Sequence, residues 1–257
     1  MNDLLYRLNR RATAYLLRNE QIISPQRKIV TFTFDDAPSS AFKNGGDILI
    51  NHGIAGTFYL SLSFLKGQTN SNSYFNINDL RTCISQGHEL GCHTYNHLYF
   101  KDANNYNQIL GDIRKNQISL EESGLGVKFE NFAYPFGAQT YNAKKVVSGF
   151  YNTCRGIYYG ENLKKGINVG KTDLNSLLAI NLYEESNQLS NIYLLLEDFR
   201  KYGGWLIFYT HDVQEKYSQY GCSPAFFESV LIKCIDLGLE VMNIKSALAE
   251  LKKDWSQ

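Results

Sequence analysis

Short apolar runs with strand character alternate with longer stretches of helical periodicity along almost the whole chain. The strand-like runs are Ile29–Phe34, Thr57–Leu60, His88–Cys92, Phe132–Tyr134, Tyr151–Cys154, Ile167–Gly170, Trp205–Tyr209 and Glu240–Met242. Helical stretches lie near residues 41–52, 77–86, 104–123, 140–148, 175–201, 224–237 and 244–253. Alternation of this kind makes neighbouring strands run parallel, because each crossover is long enough to carry a helix back over the sheet. Seven or eight such units predict an α/β fold, a distorted (β/α) barrel with about seven parallel strands. Pro224 at a helix start and Gly238 beyond its end fit the usual asymmetry of helix caps. The 257 residues are 44% apolar, enough for one large core. No linker, low-complexity tract or internal repeat divides residues 25–257.

Residues 1–24 read as a separate amphipathic helix. Leu4, Leu5, Leu8, Ala12 and Leu16 recur at helical spacing, interleaved with Arg7, Arg10, Arg11 and Arg18. Such a helix either packs on the domain with its charges in water or meets anionic lipid headgroups. No stretch approaches transmembrane length, and the N-terminus lacks the apolar block and small-residue cleavage site of an export signal. Five cysteines (Cys83, Cys92, Cys154, Cys222, Cys234) are odd in number and show no CxxC spacing. Reduced thiols in a cytoplasmic protein, active at the inner face of the membrane, are the expectation. Cys92 adjoins His93, but strand neighbours point to opposite faces, so Cys92 is expected behind any site that His93 serves. Lys and Arg number 26 against 25 Asp and Glu, with both signs scattered, which argues against a nucleic-acid-binding surface.

Polar groups gather where the strand-like runs stop. Asp35 and Asp36 close the first, His93 and His97 follow the third, Pro135-Phe136-Gly137 the fourth, and His211 the seventh. In a parallel barrel the strand C-termini share one rim, so these groups converge. One carboxylate with two imidazoles is a ligand set suited to Zn²⁺, or to Co²⁺ or Ni²⁺, with positions left open for water and substrate. A second Asp beside it is free to accept a proton. The pattern implies a metal-dependent hydrolase. Each group alone has a simpler use. An Asp pair after a strand caps a helix, two His can be polar surface residues, His211 can pair with Asp212, and Pro-Phe-Gly makes an ordinary turn.

Taken together, four blocks resemble the polysaccharide deacetylase family, the NodB-homology enzymes of carbohydrate esterase family 4. They are Thr33-Phe34-Asp35-Asp36, the run from Gly87 to His97 (GHELGCHTYNH), Phe132-Ala133-Tyr134-Pro135-Phe136-Gly137, and Leu206 to Asp212 (LIFYTHD), within a likeness spanning about Lys28 to Leu248. The resemblance implies an irregular (β/α) barrel. It also implies Asp35 as general base, Asp36, His93 and His97 as metal ligands, and His211 as general acid. The backbone N–H of Phe136 is the implied oxyanion donor, and water activated by the metal the implied nucleophile. The implied reaction removes an N-acetyl group from an amino sugar of a bacterial surface polysaccharide or its intracellular precursor. Implied substrates are N-acetylated glycans or lipid- or nucleotide-linked sugars, and the basic N-terminal helix offers peripheral membrane contact. A deformylase or other amide or ester hydrolase on a modified sugar, and a non-catalytic carbohydrate-binding barrel, are the alternatives.

The chain departs from the family pattern at three places. Many relatives carry an Arg where this chain has Ala133; Arg155 offers the missing charge or is an exposed rim residue. The family's Asp-rich fourth block has no clear counterpart, and Asp173 is the best nearby carboxylate for tuning His211. Tyr209 stands where a Leu commonly lines the acetyl pocket. The polar stretch Gln68–Tyr74 is expected to be a surface loop near the site.

Overall fold

The computed structural model describes Tyr6, Asn9 and residues 11–65 and 74–255. Residues 1–5, 7, 8 and 10 of the helix expected over residues 1–24, and residues 68–73 of the expected surface loop, lie outside those described. Residues 11–13 are helical, whereas Glu20–Ile23, at the end of the expected helix, is a strand. Strand β2 (Lys28–Asp35) sits at the centre of a parallel sheet, and it is buried on both faces, its large apolar residues interrupted only by Thr31 and Thr33, whose hydroxyls are hydrogen-bonded. On one side it pairs with β3 (Thr57–Leu60), followed by β4 (Glu89–Cys92), β5 (Asn131–Ala133) and β6 (Thr153–Arg155). On the other it pairs with β9 (Gly204–Thr210) and then β8 (Ile180–Asn181), with β10 (Glu240–Val241) joining β2 near its start.

The seven parallel strands from β6 to β8 thus curl into an incomplete barrel, with β10 as an eighth beside β2. Its edges are laced together by backbone bonds: Leu177 N–H donates to Cys154 O (3.0 Å), Gly156 N–H to Leu177 O (2.7 Å) and Tyr158 N–H to Ala179 O (2.9 Å). Strand β1 (Glu20–Ile23) and β7 (Gly170–Asp173) form a separate antiparallel pair. Helices α1 (Asp47–Asn51, after a π-helical turn at Ala41–Gly46), α2 (Ile77–Ser85), α3 (Tyr106–Glu122), α4 (Tyr141–Val147), α5 (Leu189–Tyr202), α6 (Pro224–Asp236) and α7 (Ile244–Trp255) complete the crossovers.

The two-residue period of a strand sorts side chains into two cores. Val30, Phe32 and Phe34 of β2, with Phe58, Leu90, Cys92 and Phe132, pack outward against the helices. Ile29, Tyr59, Ala133, Trp205, Ile207 and Tyr209 fill the lumen. Asp35, on an odd position like Ile29, therefore ends the lumen file of β2. At the opposite end Glu89 closes the barrel, accepting bonds from Thr57 Oγ1 (2.9 Å), Asn131 Nδ2 (2.5 Å) and the Lys245 N–H (2.9 Å) at the start of α7.

Two expectations for the chain after β6 are corrected. The strand read at Ile167–Gly170 lies at Gly170–Asp173 and belongs to the antiparallel pair outside the barrel. The barrel strand at that point of the chain is the two-residue β8, too short and polar to show a period. The helix read over 175–201 begins only at Leu189, because residues 174–181 are spent on a 3₁₀ turn and β8.

Candidate active site

The strand ends bring Asp35, Asp36, His93, His97, Phe136, Tyr209 and His211 to one cavity of about 690 Å³. Sharp backbone turns place several of them. Among the described residues, the non-glycine positions with positive φ are Leu17, Asp36, Ala37, Thr94, His97 and Phe136. All but Leu17 lie in this rim, so backbone strain is concentrated where the polar groups converge. Asp35 continues the lumen file at 3% exposure. Asp36, at φ 56°, swings its carboxylate across the rim toward the imidazoles.

Asp36 Oδ1 lies 3.2 Å from His97 Nε2 and 3.8 Å from His93 Nε2, and the three prospective ligand atoms fall within 4.8 Å of one another. His93 Nδ1 lies 2.8 Å from Ala133 O. A carbonyl only accepts, so Nδ1 carries the proton and Nε2 presents its lone pair to Asp36. Burial lowers His93 to about 3 and His97 to about 4, which keeps both rings neutral, as metal ligands require. Burial pushes Asp36 up to about 6, with His211 opposing and Asp35 reinforcing the shift. Asp36 Oδ1 is buried and accepts no hydrogen bond. A buried carboxylate oxygen left without a donor, set between the Nε2 atoms of two neutral imidazoles, fits a divalent cation.

Asp35 has a different partner. Arg155 Nη2 donates to its Oδ1 in a fully buried ion pair. Burial alone would raise the Asp35 carboxyl, but Arg155, with His93 and His211, outweighs it and holds Asp35 below the usual carboxylate range. Arg155 is therefore not a rim residue. It is register partner to Ala133, on the adjacent strand, and the small Ala133 side chain lies beside it in the lumen. The guanidinium lies 5.1 Å from the ring centroids of both Tyr59 and Tyr209.

His211 is held by main chain. Its N–H donates to Tyr220 O (3.1 Å), and its Nδ1 lies 3.3 Å from the same oxygen, so Nε2 faces Asp36 Oδ2 at 3.9 Å. The Asp173 expectation is corrected: Asp173 is buried against Lys144, with Oδ2 accepting from Nζ at 2.6 Å. It lies in β7, outside the barrel sheet. Asp212 accepts from Ser218 N (2.8 Å), Ser218 Oγ (2.6 Å) and Gln214 Nε2 (2.9 Å), shaping the loop that carries Tyr220. Cys92 packs behind the site as expected, its Sγ accepting from Asn116 Nδ2 at 3.1 Å, and all five cysteines are free and buried. Phe136 lays its ring 4.5 Å from His97.

Sequence reasoning missed Tyr158, Tyr159, Tyr183, Tyr220 and Asn181, which also line the cavity. Tyr183 packs against Tyr209 (5.4 Å), His211 (5.8 Å) and Tyr220 (5.7 Å). The Tyr158-Tyr159 doublet before Gly160 was a signal available in the sequence; nothing local marks Tyr183 or Tyr220.

Residues 23–150 match the sequence model of a family described as polysaccharide deacetylase. In three dimensions the chain is similar to the peptidoglycan deacetylase PdaC from Bacillus subtilis, at 17% identity and TM-score 0.58, over 91% of this chain and 96% of that one. It is similar to a family 4 carbohydrate esterase from Streptomyces lividans in complex with acetate, at 15% identity and TM-score 0.58, over 83% and 91% of the two chains. A family 4 pseudoenzyme from Bacillus anthracis aligns at 16% identity and TM-score 0.56, over 86% of this chain and 66% of that one. At such identities the likeness is one of fold. No curated protein matches the chain in sequence.

Proposed function

Through residues 23–150 the chain belongs to the polysaccharide deacetylase family, and from that premise we propose a metal-dependent hydrolase that removes an N-acetyl group from an amino sugar. Its proposed setting is a bacterial surface polysaccharide or an intracellular precursor. The observation that carries the reading is the unsatisfied Asp36 Oδ1 between the imidazoles of His93 and His97. Asp36, His93 and His97 would hold Zn²⁺, or Co²⁺ or Ni²⁺ in its place. Bound there, the cation supplies Lewis-acid polarisation and a more acidic water.

Asp35 takes the proton of the attacking water. Its pairing with Arg155 keeps it ionised and fixes its orientation. The backbone N–H of Phe136 stabilises the oxygen that gains charge, a role worth about 3–4 kcal/mol for a well-placed donor. Amines leave poorly, so His211 delivers a proton from Nε2 to the departing nitrogen. Phe136, Tyr159 and Tyr220, each about half exposed at the cavity wall, offer faces on which sugar rings stack.

Metal content of wild type beside His93→Ala, by elemental analysis, tests the site: one ion per chain, lost in the variant, is expected. Acetate release by the loaded protein from N-acetylated glycans and from lipid- and nucleotide-linked sugars then tests the reaction. No release from any of these would sink the deacetylase reading. Tyr209 favours a second reading, a deformylase, because its bulky ring lines the cavity beneath Asp35 and His211. Formate exceeding acetate would select it.

A further inference from the structure

Both imidazoles of the candidate metal site come from one five-residue turn, His93–His97, whose backbone is left-handed at Thr94 (φ 65°) and at His97 (φ 52°). A β-branched residue in that region is costly, and such a turn persists only if its surroundings over-determine it. Part of the support is local: Leu98 N–H donates to Thr94 Oγ1 (2.9 Å), and Ser61 Oγ donates to His93 O (2.8 Å). Ser63 N–H also donates to Tyr95 O (3.2 Å), and further support comes from one face of helix α3. Asp112, Lys115 and Asn116 stand at i, i+3 and i+4 and all reach the turn or the strand ends beneath it.

Asp112 carries most of the contact. Its Oδ1 accepts the Tyr95 N–H (2.6 Å) and the Asn96 N–H (3.1 Å), and its Oδ2 accepts Asn96 Nδ2 (2.6 Å). The carboxylate is 8% exposed. Lys115 Nζ lies 4.0 Å over the Tyr95 ring. Asn116 accepts the Leu62 N–H (3.0 Å) and donates to Leu60 O (2.9 Å), tying the end of β3 to the same helix. Two backbone N–H groups and one side-chain amide, from consecutive residues between the two imidazoles, therefore converge on one buried carboxylate. None of these contacts involves Asp35, Asp36 or His211.

We propose that Asp112 is the positioning residue of the metal site. By clamping Tyr95 and Asn96 it fixes the separation and aim of His93 Nε2 and His97 Nε2 toward Asp36. The inference rests on the metal-site reading above and assigns that site a support from helix α3. Groups that orient ligands without touching the ion commonly govern affinity as strongly as weak ligands do.

Zn²⁺ binding to metal-free protein, measured by competition with a chromophoric chelator, tests this without reference to turnover. Asp112→Asn puts an amide N–H₂ against either Asn96 Nδ2 or the two backbone N–H groups, whichever way it rotates. Zn²⁺ affinity is expected to fall about 10- to 100-fold. Adding Asn96→Asp restores a complementary pair. The amide introduced on helix α3 then donates to the carboxylate introduced in the turn and accepts from the backbone, and most of the affinity should return. The visible spectrum of the Co²⁺ form should move with the single variant and return with the double one. Unchanged affinity in Asp112→Asn, or a loss that the exchanged pair does not recover, overturns the proposal. Wild type that binds no metal overturns both this inference and the reading beneath it, whereas wild-type binding with an indifferent Asp112 removes only the inference.

Discussion

Replacing Arg155 by Met should destabilise the metal-free protein by about 4 kcal/mol. The side chains of Arg155 and Asp35 are 0% and 4% exposed, so their ion pair is buried on both sides. Removing one partner of such a pair strands the other charge, at a cost of about 3–5 kcal/mol. The guanidinium also lies over Tyr59 and Tyr209, contacts worth about 0.5–1 kcal/mol each. The Met thioether against the same rings recovers a comparable amount, which leaves the stranded carboxylate as the main term. For a chain of this length, the melting temperature should drop by roughly 8–16 °C.

The pH dependence separates this cause from simple loss of packing. In wild type Asp35 lies below its ordinary value of 3.8, so its stabilising contribution is complete above that pH and fades only as pH falls through the lower folded value. Without Arg155 burial dominates and raises the folded carboxyl above 3.8. The penalty is then full at pH 7 and fades as pH falls toward 4. Urea unfolding of wild type and Arg155→Met at pH 7 and pH 4 should therefore show a gap that narrows at the lower pH. Adding Asp35→Asn should recover about 2 kcal/mol at pH 7. A gap below about 1 kcal/mol at pH 7, or one unchanged between the two pH values, would refute the reasoning.

Three further outcomes are expected. His211→Gln should lower kcat by about 10²–10⁴ while leaving metal content unchanged; an equal loss of metal would place His211 among the ligands. Lys144→Met strands Asp173, whose Oδ1 accepts the N–H groups of Asn19 and Asn175, and should cost about 3–5 kcal/mol in urea unfolding; an unshifted midpoint would contradict it. Gly91→Ala drives a Cβ into the Tyr59 ring and sets it 3.3 Å from Asn131 O in the lumen, and a loss of about 1–3 kcal/mol should appear as a lower melting temperature.

What could be read from the sequence divides along physical lines. Long buried strands announce themselves, so the bounds of β2 and β9 are legible to within a residue, and with them the rim positions of Asp35, Asp36 and His211. The turn carrying His93 and His97 was visible because both residues close one strand. Strand β8 was invisible: two residues display no period, and the apolar residues around it read as the start of α5. The sequence leaves Arg155 either as the missing charge or as a rim residue, and only the β5–β6 register shows it beside Ala133. Asp173 is withheld from His211 because β7 pairs with β1 outside the barrel, a long-range pairing that no local pattern encodes. The clamp by Asp112 links residues 16 and 17 positions apart across a helix start, which no local pattern encodes.

The pairing of β2 with β9 joins residues about 175 positions apart, Phe34 standing opposite Thr210. Chain synthesis runs from Asp35 to His211, so the carboxylates, the imidazole turn and the Phe136 turn all emerge before the strand that carries the acid. Contacts of this span are reached late and slowly in folding. A nascent chain, or a fragment ending before residue 211, carries the prospective metal ligands but not the proposed proton donor. On the proposed reading, the groups of an ion site and the group that completes a turnover site thus leave the ribosome at different times, and the second waits on a single strand.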